Sequence, residues 1–280
     1  MSLPRNAPPL TARSVLASVL LGTEPAWLPT SLLVQTTALF GISEGATRTA
    51  LSRMVTRGEA SSDGGGYGLA GRLVARQQRQ AASRRAERCE WDGTWELATI
   101  DGDDARSPTD RAVLRDALRS LRLAELRGGV WARPSNLSPD RSPEARAEAA
   151  RWCHWWQAAT PSPEPDAGAL WDLRTWAEGA KALQREMARR IDALEAGDSR
   201  HLADGFVTSA TVLRHLQADP LLPQALLPAT WPGDQLRADY DRYDTAYRAV
   251  LRAWFTSRTW REGEEGGDGA DVGVAGRPAH

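Results

Sequence analysis

Lysine is nearly absent from this chain: of its 35 basic residues only Lys181 is a lysine. No lysine follows a glycine-rich loop, which excludes P-loop NTPases and kinases. Cysteine is almost as scarce, since Cys89 and Cys153 stand alone without the Cys-x-x-Cys spacing of zinc and redox sites. Two isolated cysteines build no disulfide framework, so we expect a protein of the reducing cytoplasm.

Long apolar runs are missing as well. The longest candidate, Val15 to Leu21, has seven residues and includes a serine, whereas a bilayer-spanning helix needs about 20 apolar residues. The run also lacks a small-residue cleavage site and continues into amphipathic sequence. We therefore interpret it as a folded helix and not as a signal peptide.

The composition that remains is typical of a folded protein of about two domains. The 280 residues are 41% hydrophobic and 25% charged, with a net charge of -1. That charge is unevenly distributed, because residues 1–90 hold eleven arginines against six acids and the remainder carries -6. The N-terminal part is therefore the basic part of the molecule.

Three short helices are predicted near the N-terminus. Thr11 precedes the first, which Gly22 ends. Pro29 opens the second and Gly41 closes it, after which Ser43 is a good N-cap for the third. In the first two helices apolar residues recur at the spacing of one buried face. These inward positions are Val15, Leu16, Val19, Leu20, Leu32, Leu33, Leu39 and Phe40.

A glycine-rich hairpin is predicted after the third helix. Polar residues flank Asp63-Gly64-Gly65-Gly66, and Tyr67 and Leu69 share one face of a strand. Three helices followed by a hairpin predict a winged helix-turn-helix domain over residues 10–72. A flexible N-terminus is expected at residues 1–9.

The next segment, residues 73–90, is compatible with a helix that is polar nearly all round. Between Gly64 and Arg88 six arginines stand against the single acid Glu87. We interpret 73–90 as a basic linker helix, either a solvated connector or a phosphate-facing arm.

A second, α+β unit of alternating strands and helices is predicted over residues 91–176. Its expected strands are Trp95–Ile100, Val130–Ala132 and Ala169–Leu173. Its helices are expected to begin at Ser107-Pro108 and at Ser142-Pro143. The second of these is expected to run through Trp155 and Trp156.

The rest of the chain is predicted to be a helical domain over residues 177–261. In its long last helix, hydrophobic residues step by 4, 3, 4, 3 and 4 positions, the spacing of one helical face that another element must cover. They are Leu236, Tyr240, Tyr243, Tyr247, Val250 and Trp254. Residues 262–280 hold six glycines and five acids against one arginine and are expected to form a disordered tail.

The sequence matches the residue patterns of two enzyme motifs, but neither match has the structural context that its motif requires. Gly41 to Gly45 matches GxSxG, yet roughly forty upstream residues of helical spacing cannot supply the sheet that a nucleophile elbow requires. Gly66 to Gly71 matches GxGxxG, with Glu90 about 20 residues on, yet no buried apolar strand precedes it. We interpret the first as a helix N-cap and the second as the wing.

Metal ligands are sparse. Cys153 and His154 are adjacent and would point to different sides of a helix, and no two histidines have the short spacing of a metal site. Asp101, followed by Asp103 and Asp104, stands at the expected end of the first strand of the second unit. It is either a divalent cation site or a solvated turn, of which we favour the turn.

The third helix carries the strongest functional pattern. Placing residues at 100° intervals separates an apolar side from a small, polar and basic side. The inward residues are expected to be Ala46, Ala50, Leu51, Met54 and Val55. The outward residues are expected to be Gly45, Arg48, Thr49, Ser52, Arg53 and Thr56. Such a face suits a DNA groove, and an ordinary solvated face is the alternative.

The candidate DNA-binding residues lie on this face and on the basic segment after it. Arg48 and Ser52 are the best base readers, and Thr49 and Arg53 come next. Ser43, with the N-terminal amides of the helix, is expected to meet a backbone phosphate. The arginines expected to hold phosphates are Arg57, Arg72, Arg76 and Arg79.

Several segments, in order along the chain, resemble the PaaX family of transcriptional regulators, the repressors of phenylacetate degradation. The resemblance covers residues 10–260. In the winged-helix region it rests on Leu39-Phe40-Gly41-Ile42-Ser43-Glu44 and Arg48-Thr49-Ala50-Leu51-Ser52-Arg53. Later it rests on Trp91-Asp92-Gly93-Thr94-Trp95, Gly129-Val130-Trp131-Ala132-Arg133-Pro134, Asp219-Pro220-Leu221-Leu222-Pro223, Leu226-Leu227-Pro228 and Trp231-Pro232-Gly233.

The resemblance implies a winged-helix N-terminal domain, a central ferredoxin-like domain related to Cas2, a helical C-terminal domain and a dimer that binds a palindromic operator. The family's best-known effector is phenylacetyl-coenzyme A, whose binding releases the DNA. Residues 213–218 are poorer in aromatic and basic residues than the family's usual version, which leaves a different ligand open.

We therefore expect a multidomain α+β protein of the cytoplasm that is not an enzyme and needs no cofactor. It would bind double-stranded DNA as a homodimer and respond to an acyl-coenzyme A effector held between its last helix and the central domain. Two alternatives stay open: a Cas2-like metal-dependent nuclease that uses Asp101, and a winged-helix module that docks a partner protein.

Overall fold

The computed structural model describes residues 11–102 and 107–265, with side chains up to residue 257. Within these ranges the chain forms a winged-helix part, a connecting helix, an α+β part and a helical part, in that order. The helices of these ranges include none that is both long and apolar enough to cross a membrane.

The winged-helix part contains three helices and a small antiparallel sheet. Its elements are α1 (Ala12–Gly22), β1 (Trp27–Pro29), α2 (Thr30–Ala38), α3 (Glu44–Thr56), β2 (Ala60–Ser62) and β3 (Gly66–Leu69). The sheet order is β1-β3-β2, so β3 pairs with both neighbours. Strand β1 was not predicted, because three residues are too few to show an alternating pattern.

The predicted starts of α1 and α3 are confirmed at the level of single hydrogen bonds. The hydroxyl of Thr11 accepts from the backbone N–H of Ser14, and the hydroxyl of Ser43 accepts from that of Ala46. Each side chain thereby satisfies a donor that has no partner inside its helix. The predicted inward residues of α1 and α2 are buried, except that Leu39 and Phe40 are half-buried against the same core.

The central part is ferredoxin-like, as predicted. Its elements are β4 (Trp95–Ile100), α5 (Pro108–Ser120), β5 (Ala124–Arg127), β6 (Val130–Pro134), α6 (Pro143–Ala150) and β7 (Cys153–Ala159). They form a four-stranded antiparallel sheet in the order β5-β6-β4-β7. Helices α5 and α6 pack against each other over one face, with Leu114, Leu118 and Trp131 in the core between them and the sheet.

Two expectations for this part are wrong. Trp155 and Trp156 are not helical, because α6 ends at Ala150 and both tryptophans lie in β7, paired with β4. The region from Ala169 to Leu173 is not a strand, because it holds the end of the short helix α7 (Ala167–Leu170) and the start of α8 (Leu173–Glu195). For the two tryptophans the pairing partner β4 is distant in sequence, so a local apolar run does not identify the element.

The helical part is built from α8, α9 (Leu202–Gln217) and α10 (Gly233–Glu265), and α10 packs against both others. All six predicted stripe residues of α10 are buried, which confirms that face. The predicted domain boundary at residue 176 falls inside α8. Helix α10 also continues through residues 262–265 of the predicted tail, and residues 266–280 and 1–9 lie outside the described residues.

Helix α4 (Arg72–Arg85) joins the winged-helix part to the rest by packing against both α1 and α9. One hydrophobic core runs from the winged-helix part into the C-terminal helices. Within it, the rings of Phe40 and Phe206 meet edge to face with centroids 5.1 Å apart. The winged-helix part is therefore seated on the C-terminal helices by apolar packing.

Candidate nucleic-acid interface

The predicted outward face of α3 lies at the surface of the molecule. The six positions Gly45, Arg48, Thr49, Ser52, Arg53 and Thr56 are all exposed. On the opposite side Leu51 and Met54 are completely buried in the core. The helix is therefore fixed by its apolar side and leaves a small, polar and basic side accessible.

The inward face of α3 is rotated slightly from the prediction. Ala46 is exposed and Val55 is 39% exposed, whereas Thr47 is fully buried. The Thr47 hydroxyl lies 2.7 Å from that of Thr37 on α2 and also donates to the carbonyl of Ser43. A threonine can be buried here because its hydroxyl is hydrogen-bonded, which a hydropathy pattern does not reveal.

Arg48 is paired with Glu44 one turn earlier, with 2.7 Å between Nε and Oε1 and both side chains more than half exposed. An exposed pair of this kind contributes only about 0.3–0.5 kcal/mol, so Arg48 can leave Glu44 for a base edge at little cost. Arg53 and Arg57 have no carboxylate within ion-pair distance among the described residues. Both remain available for contacts with DNA.

Arg72 has an acidic partner inside the protein. Glu59, completely buried directly after α3, accepts from Arg72 and also forms a two-pronged pair with Arg13 of α1, at 2.7 and 2.8 Å. Hydrogen bonding from Arg13, followed by that from Arg72, holds the pKa of Glu59 at about 2 despite its burial. The Arg72 side chain is still 70% exposed, so a phosphate would share its charge with Glu59.

Arg76 and Arg79 lie on α4 and not on α3. Arg76 lines a cavity of about 880 Å³ between the winged-helix part and helices α9 and α10. Arg79 Nη1 lies 4.0 Å from Glu144 Oε2 at the start of α6. Both side chains are exposed, and their contacts with DNA phosphates stay a prediction.

Two arginines of the predicted basic linker helix, residues 73–90, are neutralised by acids of α10, whereas Arg76, Arg79 and Arg85 are exposed. Arg84 pairs with Asp241 and Asp244 of α10, and Arg88 pairs with Asp234 at 2.7 Å. The acids that neutralise this segment lie about 150 residues away, so a local count of charges could not find them.

The wing hairpin turns at Asp63 to Gly65. The Asp63 carboxylate accepts from the backbone N–H groups of Gly66 and Gly65, at 3.0 and 3.2 Å, which lowers its pKa. Ser61, Ser62 and Asp63 bring no positive charge to this tip. The wing can therefore approach DNA through small residues and backbone groups, while the arginines of α3 and its C-terminus carry the positive charge.

The carboxylate expected at the end of β4 directly follows that strand. Asp101 is exposed, and its Oδ1 lies 2.9 Å from His154 Nε2 on β7. Asp103 and Asp104 lie outside the described residues. Over the part of the chain that the structure describes, no three His, Cys, Asp or Glu side chains gather where they could hold a metal ion.

Three family models match the chain in the order of its parts. The model for PaaX-like protein matches residues 11–73, that for the PaaX central Cas2-like domain matches 88–167, and that for the PaaX-like C-terminal domain matches 171–257. The chain belongs to the PaaX family. PaaX proteins are transcriptional regulators, and this chain has the PaaX domain plan throughout its matched length.

A solved structure shares this plan. The uncharacterized protein Rv0674 from Mycobacterium tuberculosis is 40% identical in sequence, with a TM-score of 0.66 over 87% of this chain and 98% of that one. No curated protein matches the chain. Family membership thus rests on the three domain matches. The candidate DNA-binding residues rest on the positions of their side chains in this structure.

Proposed function

We propose that this PaaX protein is a transcriptional repressor that inserts α3 into the major groove of its operator. The observation that carries the proposal is the exposed side of α3, where Gly45, Thr49 and Ser52 allow close approach and Arg48 and Arg53 supply long donors. An α-helix fits the major groove, and bidentate arginine contacts to guanine are the commonest specific readout there.

Arg48 and Ser52 are proposed to read base edges, with Thr49 and Arg53 beside them. Arg57 at the C-terminus of α3 is proposed to hold a phosphate, and the exposed Ser43 hydroxyl is proposed to donate to another while it caps the helix. Phosphate contacts position the helix and base contacts give the specificity.

The proposal includes a homodimer in the cytoplasm and an acyl-coenzyme A effector, such as phenylacetyl-coenzyme A, that releases the DNA. Family membership supports both statements. Two copies of α3 would read half-sites about 34 Å apart, or a multiple of that distance, on a palindromic operator. An effector must bind the two arrangements of the dimer with different affinity in order to release DNA.

Genomic footprinting with the full chain tests the proposal. We expect two protected half-sites at a fixed spacing near a promoter. Arg53→Ala on α3 and Arg115→Ala on α5 remove the same charge from exposed positions, so they form a matched pair for binding measured by fluorescence anisotropy.

Arg53→Ala is expected to weaken operator binding by about 1–3 kcal/mol, whereas Arg115→Ala leaves it unchanged. Equal effects of the two variants would reject α3 as the DNA-binding element. Capture of a partner protein without any duplex binding at physiological salt would favour the protein-interaction module instead.

A further inference from the structure

A cavity of about 880 Å³ lies between the winged-helix part and the C-terminal helices. Helices α1 and α4 form one side of it, and α9 and α10 form the other. Its size falls in the range of sites that bind organic ligands. None of its walls comes from the central domain, so it does not lie where the sequence led us to expect the effector.

Two arginines in the cavity wall lack an acidic partner. Arg76 of α4 and Arg214 of α9 have no carboxylate within ion-pair distance among the described residues, whereas Arg84 and Arg248 are both paired with Asp244. Arg85, also in the wall, is paired with Glu87, and Glu24 of the wall is exposed.

The arginines at this point repel one another. Partial burial, followed by the positive charges of Arg214, Arg13 and Arg79, lowers the pKa of Arg76. Like charges that gather without counter-charge are stabilised when an anion binds between them.

The rest of the wall combines polar and apolar side chains. Its apolar members include Val19 and Leu21 of α1 and Phe206 of α9, and the rings of Tyr240 and Tyr247 line the side formed by α10. Apolar surface next to two unpaired guanidinium groups matches a molecule with one anionic end and one apolar end.

We propose that this cavity binds an amphiphilic organic anion, with its phosphate or carboxylate group at Arg76 and Arg214 and its apolar part against Val19 and Phe206. Phosphate and carboxylate both suit paired guanidinium groups. The experiment below separates these two head groups.

Binding here would act on the contact between the winged-helix part and the C-terminal helices. Gln77 of α4 donates to the carbonyl of Leu21 at 3.2 Å, and Arg248 of α10 donates to the carbonyl of Gly22, so the end of α1 is held from two sides of the cavity. A ligand that wedges these helices apart would change how α3 is presented. This regulatory role rests on the proposed function, whereas the binding site does not.

Calorimetric titration of the full chain without DNA tests the site. Octyl phosphate is the probe, and octanol and inorganic phosphate are its apolar and anionic halves. We expect octyl phosphate to bind more tightly than either half. A parallel titration with octanoate shows which head group the site prefers, and binding of either anion above octanol supports the site.

Arg76→Gln and Arg214→Gln are expected to weaken octyl phosphate binding by roughly 10-fold or more, because each removes a charge-assisted hydrogen bond. Arg115→Gln, which removes an exposed charge on α5, is expected to stay within about twofold of the original chain. Arg76→Gln should not lower the thermal midpoint, since it removes repulsion, and this separates lost binding from lost folding.

Ala210→Phe provides an independent check, since Ala210 lines the cavity and a phenyl ring would narrow it while leaving every arginine in place. Loss of octyl phosphate binding in this variant supports the site.

Equal binding of octanol and octyl phosphate, unchanged binding in both arginine variants, or no binding to the original chain would overturn the proposed site. If octyl phosphate binds but operator affinity does not change, the site stands and its regulatory role is wrong. If no duplex binds at all, the proposed function fails and the calorimetry still decides the site.

Discussion

At the scale of single residues, Glu59 connects helices α1 and α3 of the winged-helix part with the connecting helix α4. Its carboxylate holds Arg13 of α1 and Arg72 at the start of α4. Its backbone N–H donates to Met54 of α3, and its carbonyl accepts from Ala70. This one buried acid thereby fixes the end of α3 relative to the helices on either side.

Glu59→Gln is expected to lower the free energy of unfolding at neutral pH by about 1–3 kcal/mol, because the two arginines lose a charged acceptor. In the folded protein the pKa of Glu59 is about 2, below its ordinary value of 4.5. Its contribution is therefore fully present above pH 4.5 and is lost as the pH falls towards 2. Thermal midpoints measured from pH 7 to pH 2 check this.

The thermal midpoint of Glu59→Gln should fall less between pH 7 and pH 2 than that of the original chain, because this variant lacks the carboxylate whose contribution is lost in acid. Glu87→Gln is the control, because Glu87 is exposed and pairs only with exposed Arg85 among the described residues. Curves for Glu59→Gln and the original chain that run parallel over the whole range would contradict the role given to Glu59.

Arg48→Ala is expected to weaken specific operator binding by about 1–3 kcal/mol and to relax the base preference at one position in each half-site. The reason is that a base contact carries sequence information, whereas a phosphate contact does not. Anisotropy titrations against single-base variants of the operator measure this. An unchanged base preference at every position would reject Arg48 as a base reader.

At the scale of elements, the wing depends on close packing between β1 and β3. A Cβ atom on Gly66 would lie 2.4 Å from the carbonyl oxygen of Leu28 and equally close to the Trp27 ring. Only a glycine therefore allows the two strands to pair at this register. Gly65, the neighbouring residue, would place its Cβ no closer than 3.9 Å to the Asp63 carboxylate.

Gly66→Ala is thus expected to destabilise the protein by about 1–3 kcal/mol and to weaken operator binding, because the strands must separate to admit the methyl group. Gly65→Ala is the matched control and should change stability by less than about 0.5 kcal/mol. Thermal melts and operator titrations of the pair provide the measurement. Similar losses in both variants would show that the contact at Gly66 is not what holds the wing.

At the scale of the whole molecule, one buried ion pair ties the parts together. Asp219 is 1% exposed and accepts from Arg237 of α10 at 2.8 Å. Arg237 also donates to the carbonyl of Ser83 in α4. On the other side Asp219 accepts from the N–H of Leu221, whose carbonyl accepts from Asn136 of the central part. The linker helix, the central part and the helical part therefore meet at this pair.

Asp219→Asn is expected to lower the free energy of unfolding by about 3–5 kcal/mol, because it leaves the Arg237 charge buried without a counter-charge. Asp234→Asn removes an exposed acid that pairs with Arg88 and should cost less than about 1 kcal/mol. Urea denaturation followed by tryptophan fluorescence compares the two variants. Equal urea midpoints for Asp219→Asn and Asp234→Asn would show that the Asp219–Arg237 pair does not hold the parts of the molecule together.

The amino-acid sequence by itself determined the local features of this protein. The caps at Thr11 and Ser43, the outward side of α3 and the hydrophobic stripe of α10 follow from residues within one or two helical turns. Short-range hydrogen bonds and the 3.6-residue period decide such features, so they can be predicted without knowing the fold.

The tertiary structure alone decided where the charges and the aromatic strand belong. Trp155 is in a strand because β4 lies beside it, Arg84 is neutralised because α10 brings Asp244 to it, and Arg76 lines a cavity because α9 lies across from α4 and brings Arg214 nearby. These partners lie between 55 and 160 residues away along the chain. Electrostatic and packing energies depend on distance in space, which a pattern along the sequence does not contain.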